Sequence, residues 1–289
     1  MFFVTGIKMS SLFKINKFKE NKFKNKEISF KTKLNYLEYL KKFFNENRLH
    51  KKTQETIDKD FEIQFIYNSN AIERIEFSLE ETQSILENFL ANENDFKYIE
   101  TINHKKAYDF MNSIIDGSLT EAHIRQIHYL LLKNIKNQQQ YAGIYRNFNV
   151  RILGAKHIPP SYIKVPFKMQ ELLNWYQANT ALNPILKAIK LHTEFVSIHP
   201  FIDGNGRTAR LLLNFELLKN KYIPVIIENS QREQYYDGLE DVNFKNDYSK
   251  LNNLVVDNLL NSYETLKKLS LNKNILSLND FINLKIENN

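Results

Sequence analysis

Helical periodicity runs through nearly the whole chain, and the few places where it breaks decide what the chain can become. Leu34, Leu37, Leu40 and Phe44 stripe one helical face, and Ile57, Phe61, Phe65 and Ile72 continue the spacing through TIDKDFEIQFIYNSNAIE. Ser78 and Glu81 form a capping-box signature at the start of LEETQSILENFL. Helical patterns return in YIETINHKKAYDFMNSII, TEAHIRQIHYLLLKNI, FKMQELLNWYQAN, NPILKAIKLHTEFVSI, TARLLLNFELLKN and YSKLNNLVVDNLLNSYETLKKL. The long interruption AGIYRNFNVRILGAKHIPPSYIKVP holds two of the seven glycines and three of the six prolines. Val150 and Ile152 alternate there ahead of a turn at Gly154, which predicts a short strand pair or an ordered loop. No internal repeat is present, and the class expected is mainly α with a small β element.

Charge is distributed unevenly. Residues 1–52 carry 14 Lys and Arg against 4 Glu, a net of +10, whereas the whole chain is +7, so residues 53–289 total 7 − 10 = −3. The basic character belongs to an extension in which lysines alternate with Phe and Ile. It reads as a solvated arm, and the acidic body argues against a nucleic-acid partner. No cysteine is present, which excludes disulfides, thiolate nucleophiles and cysteine-held zinc. His123 and His128 lack a metal-binding frame such as HExxH. No apolar run reaches the roughly 20 residues of a bilayer span, and the first residues do not read as a signal peptide, so a cytoplasmic protein without a membrane partner is expected.

The second interruption is compact: HPFIDGNGRTAR, His199 to Arg210, lies between two apolar helical stretches. Pro200 stops the first helix, and a second is expected to begin near Arg207. Gly204 and Gly206 at alternate positions allow positive φ and convergent backbone N–H groups, and the new helix adds its own free N–H groups. Arg207 and Arg210, three apart, contribute two positive charges. Together these make a phosphate cradle. Asp203 is a hard oxygen ligand suited to Mg2+ on a polyphosphate, and His199 is placed to take a proton from an incoming hydroxyl. The set specifies transfer of a phosphate-containing group. His192, one heptad before His199, is expected to be packed or hydrogen-bonded.

This stretch resembles the signature of the Fic family, His-x-Phe-x-(Asp/Glu)-Gly-Asn-Gly-Arg-x-x-Arg, at every fixed position. The likeness extends from about residue 55 to residue 260. The resemblance implies a Fic fold, a helical bundle with a small β-hairpin flap, and the transfer of AMP from ATP to a Ser, Thr or Tyr hydroxyl of a protein. It makes His199 the base, Asp203 the Mg2+ ligand, Gly204, Asn205 and Gly206 the anion hole, Arg207 a phosphate ligand and Arg210 the holder of the γ-phosphate. Tyr235, Tyr236 and Asn243 would surround the adenine, although the two tyrosines read equally well as core aromatics. Val150, Ile152, Gly154 and His157 would belong to a flap that docks the target by strand addition. The domain expected spans residues 53–265, with the extension at 1–52 and a tail at 266–289.

Ahead of it, NSNAIER resembles the family's inhibitory motif, (Ser/Thr)-x-x-x-Glu-(Gly/Asn), through Ser69 and Glu73 but not Arg74. The resemblance places Glu73 against Arg210, denying that arginine to ATP, with Ser69 steadying the helix. Arg74 competes for Glu73 or changes how the helix ends. The partners implied are a protein with a modifiable hydroxyl and the chain itself, with assembly into homo-oligomers left open and removal of AMP as a reverse activity. Two alternatives remain: transfer of another nucleotide or phosphate-linked group by the same cradle, and a nucleic-acid-binding regulator or toxin–antitoxin component using the basic arm.

Overall fold

The computed structural model describes residues 28–75, 77–88, 95–270 and 275–287. The first 27 residues of the basic extension therefore lie outside the described residues. The chain divides into two units, one of Met1–Asp60 with Leu259–Asn289 and the other of Phe61–Asn258.

In the first unit, α1 (Phe30–Glu46) opens on Ser29, whose hydroxyl accepts the Thr32 N–H at 3.2 Å. Its stripe of aromatic and leucine side chains faces α11 (Leu278–Glu287). Phe281 lies 5.3 Å from the ring of Tyr36 and 5.4 Å from that of Tyr39. The two phenols also satisfy the chain leading into α11. Tyr36 donates to the Leu276 carbonyl at 2.8 Å, and Tyr39 accepts the Leu276 N–H at 3.1 Å.

The second unit is built around α7 (Pro184–Ile198) and α8 (Asn205–Lys219), whose mutual contact is the most extensive between helices. Asn183 caps α7 by accepting from the N–H groups of Ile185 and Leu186, with Pro184 in the first turn. α8 is buried on nearly every side, which suits its run of leucines and Phe215. Asn214 in its middle bonds both backbone groups of Val225, so the IPVIIE segment is held by a side chain instead of a sheet neighbour. Around the pair lie α3 (Leu79–Asn88), α4 (Phe96–Ser113), α5 (Glu121–Leu132), α6 (Val165–Ala178) and α9 (Arg232–Lys245). The capping box at α3 forms as the sequence predicts: Ser78 Oγ accepts from Glu81 N at 3.1 Å, and Glu81 Oε2 accepts from Ser78 N at 2.7 Å.

The fold is mainly α. The expected β-hairpin at residues 142–166 takes the ordered-loop form: among the described residues no strand is assigned. Its tip is a β-turn in which Ala155 N donates to the Ile152 carbonyl at 3.2 Å and Gly154 has φ +80°. A two-legged loop with no ladder between its legs is therefore held by side chains.

Two long helices span the division between the units, α2 (Lys51–Ile72) and α10 (Ser249–Ser270). The end of α2 explains Arg74. Arg74 N donates to the Ala71 carbonyl at 2.9 Å and Ile75 N to the Asn70 carbonyl at 3.1 Å, the paired bonds of a left-handed helix stop. Arg74 occupies the left-handed position with φ +64°. Glycine, with no Cβ, or asparagine takes that conformation at little cost; an arginine there is strained. Arg74 thus changes the helix end and does not compete for Glu73, which pairs elsewhere. Replacing Arg74 with Gly is expected to raise stability by about 0.5–1 kcal/mol, relief of left-handed strain less the added freedom of the unfolded chain. Denaturant unfolding of the two proteins checks this.

Candidate active site

The loop between α7 and α8 turns on left-handed residues at both ends. His199 closes α7 with φ +49°, its N–H bonded to the Phe195 carbonyl at 3.0 Å. Phe201 then enters the core and stacks on the His128 ring, with centroids 3.6 Å apart and planes 2° from parallel. Asn205 bonds both backbone groups of Phe201, at 3.0 and 2.9 Å, so its side chain staples the loop while only its backbone faces the helix end. α8 starts at Asn205, two residues earlier than expected, with Gly204 as its left-handed cap at φ +72°. Its first-turn N–H groups have no carbonyl within the helix to bond.

The two glycines serve different purposes. Gly204 supplies the positive φ, and a Cβ there would also sit 3.3 Å from the His128 ring. Gly206 has no positive φ, contrary to the sequence expectation. Its missing side chain leaves room for other groups, since a Cβ would run into Glu73 Oε1 and lie 3.1 Å from Arg210 NH1, and the carboxylate would have to shift.

The two arginines also differ. Arg207 is buried and bonds through NH1 to Glu100 Oε1 at 2.9 Å, while its NH2 lies 4.0 Å from Asp203. Burial raises the Glu100 carboxyl above its ordinary range and the Arg207 charge opposes that. One of the two charges read from the sequence is therefore largely balanced from within. Arg210 is bound to the end of α2: Nε donates to Ser69 Oγ at 2.9 Å, and NH2 to the Ser69 carbonyl and Glu73 Oε1, each at 2.8 Å. The Arg210 side chain is 3% exposed and that of Glu73 31%. The rest of NSNA is fastened too. Asn68 accepts from Asn229 N at 2.9 Å, and Asn70 bonds the His104 ring at 2.8 Å.

At the other lip, burial lowers the pKa of His199 to about 4. The Val196 carbonyl opposes the shift, Arg146 adds to it, and Glu73 and Asp203 oppose it weakly. The imidazole is neutral at neutral pH. Its Nδ1 is buried, and no hydrogen bond to it meets the geometry of one. Asp203 is half exposed, one oxygen on Gly204 N at 2.7 Å.

Tyr235 is buried with its hydroxyl bonded to His192 at 2.8 Å, and the Arg210 guanidinium carbon lies 5.9 Å from its ring centre. Tyr236 is partly exposed and bonds the Ile72 carbonyl at 3.4 Å. Asn243 is joined to Ser197 Oγ at 2.6 Å, two residues before His199. The flap residues Val150, Ile152 and His157 are partly buried, and His157 Nε2 donates to the Ser197 carbonyl at 2.8 Å. Gly154 at the tip is exposed.

Three residues were not singled out from the sequence as belonging to the site: Glu100, His128 and Arg146. Glu100, Asn103, His104 and Ala107 recur at helical spacing, a polar stripe on a face that the core occupies. His128 Nδ1 accepts from Gly143 N at 2.9 Å and Nε2 donates to the Asp203 carbonyl at 2.8 Å. That pattern needs a neutral ring, and burial lowers its pKa to about 4, the Asp203 bond opposing. Arg146 bonds the His199 carbonyl at 2.9 Å. Only the period of α4 hinted at any of these.

Residues 118–217 match the family model described as Fic/DOC family. A protein adenylyltransferase Fic from Drosophila grimshawi is 35% identical over 193 residues, 64% of this chain and 39% of that protein. One of the same name from Culex quinquefasciatus is 34% identical over 195 residues, 64% of this chain and 38% of that protein. The chain thus spans about two fifths of the length of these curated relatives. Among solved structures, a Fic-1 fragment from Caenorhabditis elegans superposes with a TM-score of 0.73 at 23% identity, covering 90% of this chain and 74% of that one. A Fic-domain signalling protein from Bacteroides thetaiotaomicron gives 0.68 at 23% identity, covering 86% and 95%. These structures agree in fold.

Three buried histidines, His128, His192 and His199, have pKa values depressed by burial to about 4, 3 and 4. The unfolded chain binds their protons first, so the stability they carry is complete above the ordinary value of 6.5 and is lost as pH falls toward 4 and below. Each group is expected to cost about 2 kcal/mol at pH 5 relative to pH 7. His192→Gln, which keeps a partner for Tyr235, should flatten that fall by one such increment. Urea midpoints at pH 7 and pH 5 for the two proteins measure it.

Proposed function

Because the chain carries a domain of the Fic/DOC family at residues 118–217, we propose that it is a protein adenylyltransferase held off by its own helix α2. The supporting observation is convergence on one helix N-terminus: free N–H groups, Arg210 and the neutral imidazole of His199 meet around the Asp203–Arg207 turn. In this reading ATP lays its phosphates along the start of α8, where the N–H groups of Asn205, Gly206 and Arg207 and the positive helix end receive them. Arg207 offers NH2 while Glu100 holds NH1, and Arg210 takes the γ-phosphate once Glu73 has released it. Among the described residues no three His, Asp or Glu side chains could hold a metal ion by themselves. A lone half-exposed carboxylate beside a phosphate cradle fits Mg2+, which takes few protein ligands along with water and phosphate oxygens. Asp203 would hold it, and the ion would neutralise phosphate charge.

The protein hydroxyl forms a bond to the α-phosphorus, pyrophosphate leaves with the bond that breaks, and the hydroxyl proton passes to the His199 imidazole. Tyr235 backs the nucleotide as a wall, with Tyr236 and Asn243 nearer the opening. Target docking is assigned to the flap. Ile152 O accepts only the turn bond, no ladder occupies the backbone near Val150 among the described residues, and Leu153 at the tip is 94% exposed. An extended segment adds to such an edge through main-chain bonds. A proline at Ile152 should then reduce modification of a protein by about tenfold or more without changing ATP affinity, since a main-chain donor is lost and a leg is distorted. Incorporation of labelled AMP against calorimetric ATP affinity checks this; an unchanged rate would dismiss flap docking.

Glu73 makes the lock. Its carboxylate fills the space over Gly206 and occupies Arg210, and Ser69 holds the same guanidinium from two sides. Removing it in Glu73→Gly should raise AMP incorporation, self-modification included, by about 10- to 100-fold, the rate equivalent of a charge-assisted hydrogen bond worth about 1.5–3 kcal/mol. Adding His199→Ala to that variant should lower the rate by about 10²–10⁴-fold. Intact mass spectrometry after incubation with ATP and Mg2+ reads both. Equal rates for the unsubstituted protein and Glu73→Gly would defeat the lock, and a folded His199→Ala protein that still transfers AMP would defeat the base.

A further inference from the structure

Arg146 stands in the first leg of the flap, 3% exposed, with its guanidinium bonded to backbone carbonyls instead of a carboxylate. A buried cation held this way is expensive, and burial lowers its pKa. The bonds are specific. NH1 donates to Phe148 O at 3.0 Å, NH2 to Pro160 O at 2.5 Å, and Nε to His199 O at 2.9 Å. NH2 also reaches Ile198 O at 3.5 Å, and the Arg146 backbone N–H donates to Pro200 O at 2.9 Å. Phe148 and Pro160 bracket the flap, one in each leg. His199 O belongs to the left-handed residue that carries the imidazole. A planar five-donor fork thus ties three backbone points together, and Asn149 Oδ1, which accepts from Tyr162 N at 3.0 Å, adds a second link between the legs.

We propose that Arg146 is a positioning residue that registers the flap to the catalytic base, so that a segment docked on the flap presents its hydroxyl to His199 at a set distance. This rests on the adenylyl-transfer reading above. The loop has no ladder to set the separation of its legs, so the guanidinium replaces what a hairpin's hydrogen bonds would do. His128 ties the same stretch of chain to the far side of the catalytic loop, through Gly143 N and Asp203 O. Arg146 bonds both legs and the backbone carbonyl of His199.

A merely structural staple and a positioning residue differ in what they move. The full-length chain carrying Glu73→Gly serves as parent, with self-modification by ATP and Mg2+ read by intact mass and ATP affinity read by calorimetry. Arg146→Lys keeps the charge and loses the fork; Arg146→Gln loses both. Both are expected to lower kcat by about 10- to 100-fold, the effect of a misplacement near 1 Å, while the KM for ATP stays within about threefold. Arg146→Gln should also move the acidic limb of kcat/KM to higher pH, because a positive charge beside His199 is gone; Arg146→Lys should not. Transfer within about threefold of the parent in both variants overturns the proposal, as does a KM for ATP that rises in step with lost stability. If neither variant folds, hydrogen exchange in the parent decides. The hydrogen-bonded amides of Arg146, Ala155 and Tyr162 in the flap and of His199 and Phe201 in the catalytic loop should open as one unit with equal protection; a flap whose bonded amides open alone at much lower protection overturns the coupling. A parent that transfers no AMP defeats the adenylyl-transfer reading, and the exchange measurement still tests the link.

Discussion

A loop that passes through the middle of a helical core must satisfy its backbone polar groups without a helix or a sheet to do so, because a buried unpaired carbonyl or N–H costs about as much as a lost hydrogen bond. The turn from His199 to Gly204 meets this with side chains. Arg146 takes the His199 carbonyl, Asn205 takes both groups of Phe201, and His128 takes the Asp203 carbonyl. The site's geometry follows from these bonds. Each donor belongs to a different segment, so α5, the flap's first leg and α8 must all be in place before the loop has a single conformation. The same dependence gives the loop the rigidity a phosphate cradle needs.

Charge is handled with equal economy. Arg207 has an interior partner in Glu100 and Arg210 a partner on the opening in Glu73. Removing one member of a buried pair leaves the other uncompensated, so Arg207 is bound into the fold. Arg210 is as deeply buried, but its partner Glu73 is nearly a third exposed, so this pair reaches the opening. Ser69 holds the same guanidinium through its hydroxyl and its carbonyl. The Arg210–Glu73 pair is thus the more exposed of the two ion pairs, and the left-handed helix stop at Arg74 lies beside it.

The histidines show how far one residue type depends on surroundings. His199, His128 and His192 are all neutral by burial, yet one has a free nitrogen, one bridges a backbone N–H and a carbonyl, and one meets a phenol. Their chemistry differs only in what each ring nitrogen touches.

The helical order, the α3 capping box, the two breaks in periodicity and the contents of the cradle were all legible in the chain, because each depends on neighbours within a few residues. The pairing of Glu73 with Arg210 followed from a resemblance of motifs, and the structure adds Ser69, expected only to steady the helix, on the same guanidinium. What no local pattern carries is contact across more than 40 residues: Glu100 on Arg207, His128 on Asp203 and Arg146 on His199. The glycines mark the boundary between the two kinds of information. Gly204 follows from the turn itself, a backbone at φ +72° that a local argument can require. Gly206 lies in ordinary helix, and the Glu73 carboxylate, 133 positions earlier in the numbering (206 − 73), occupies the space where a side chain would be. Local sequence determined where the chain turns and which groups it offers there; only the tertiary structure decided which of those groups are free, since freedom is set by what distant segments press against them.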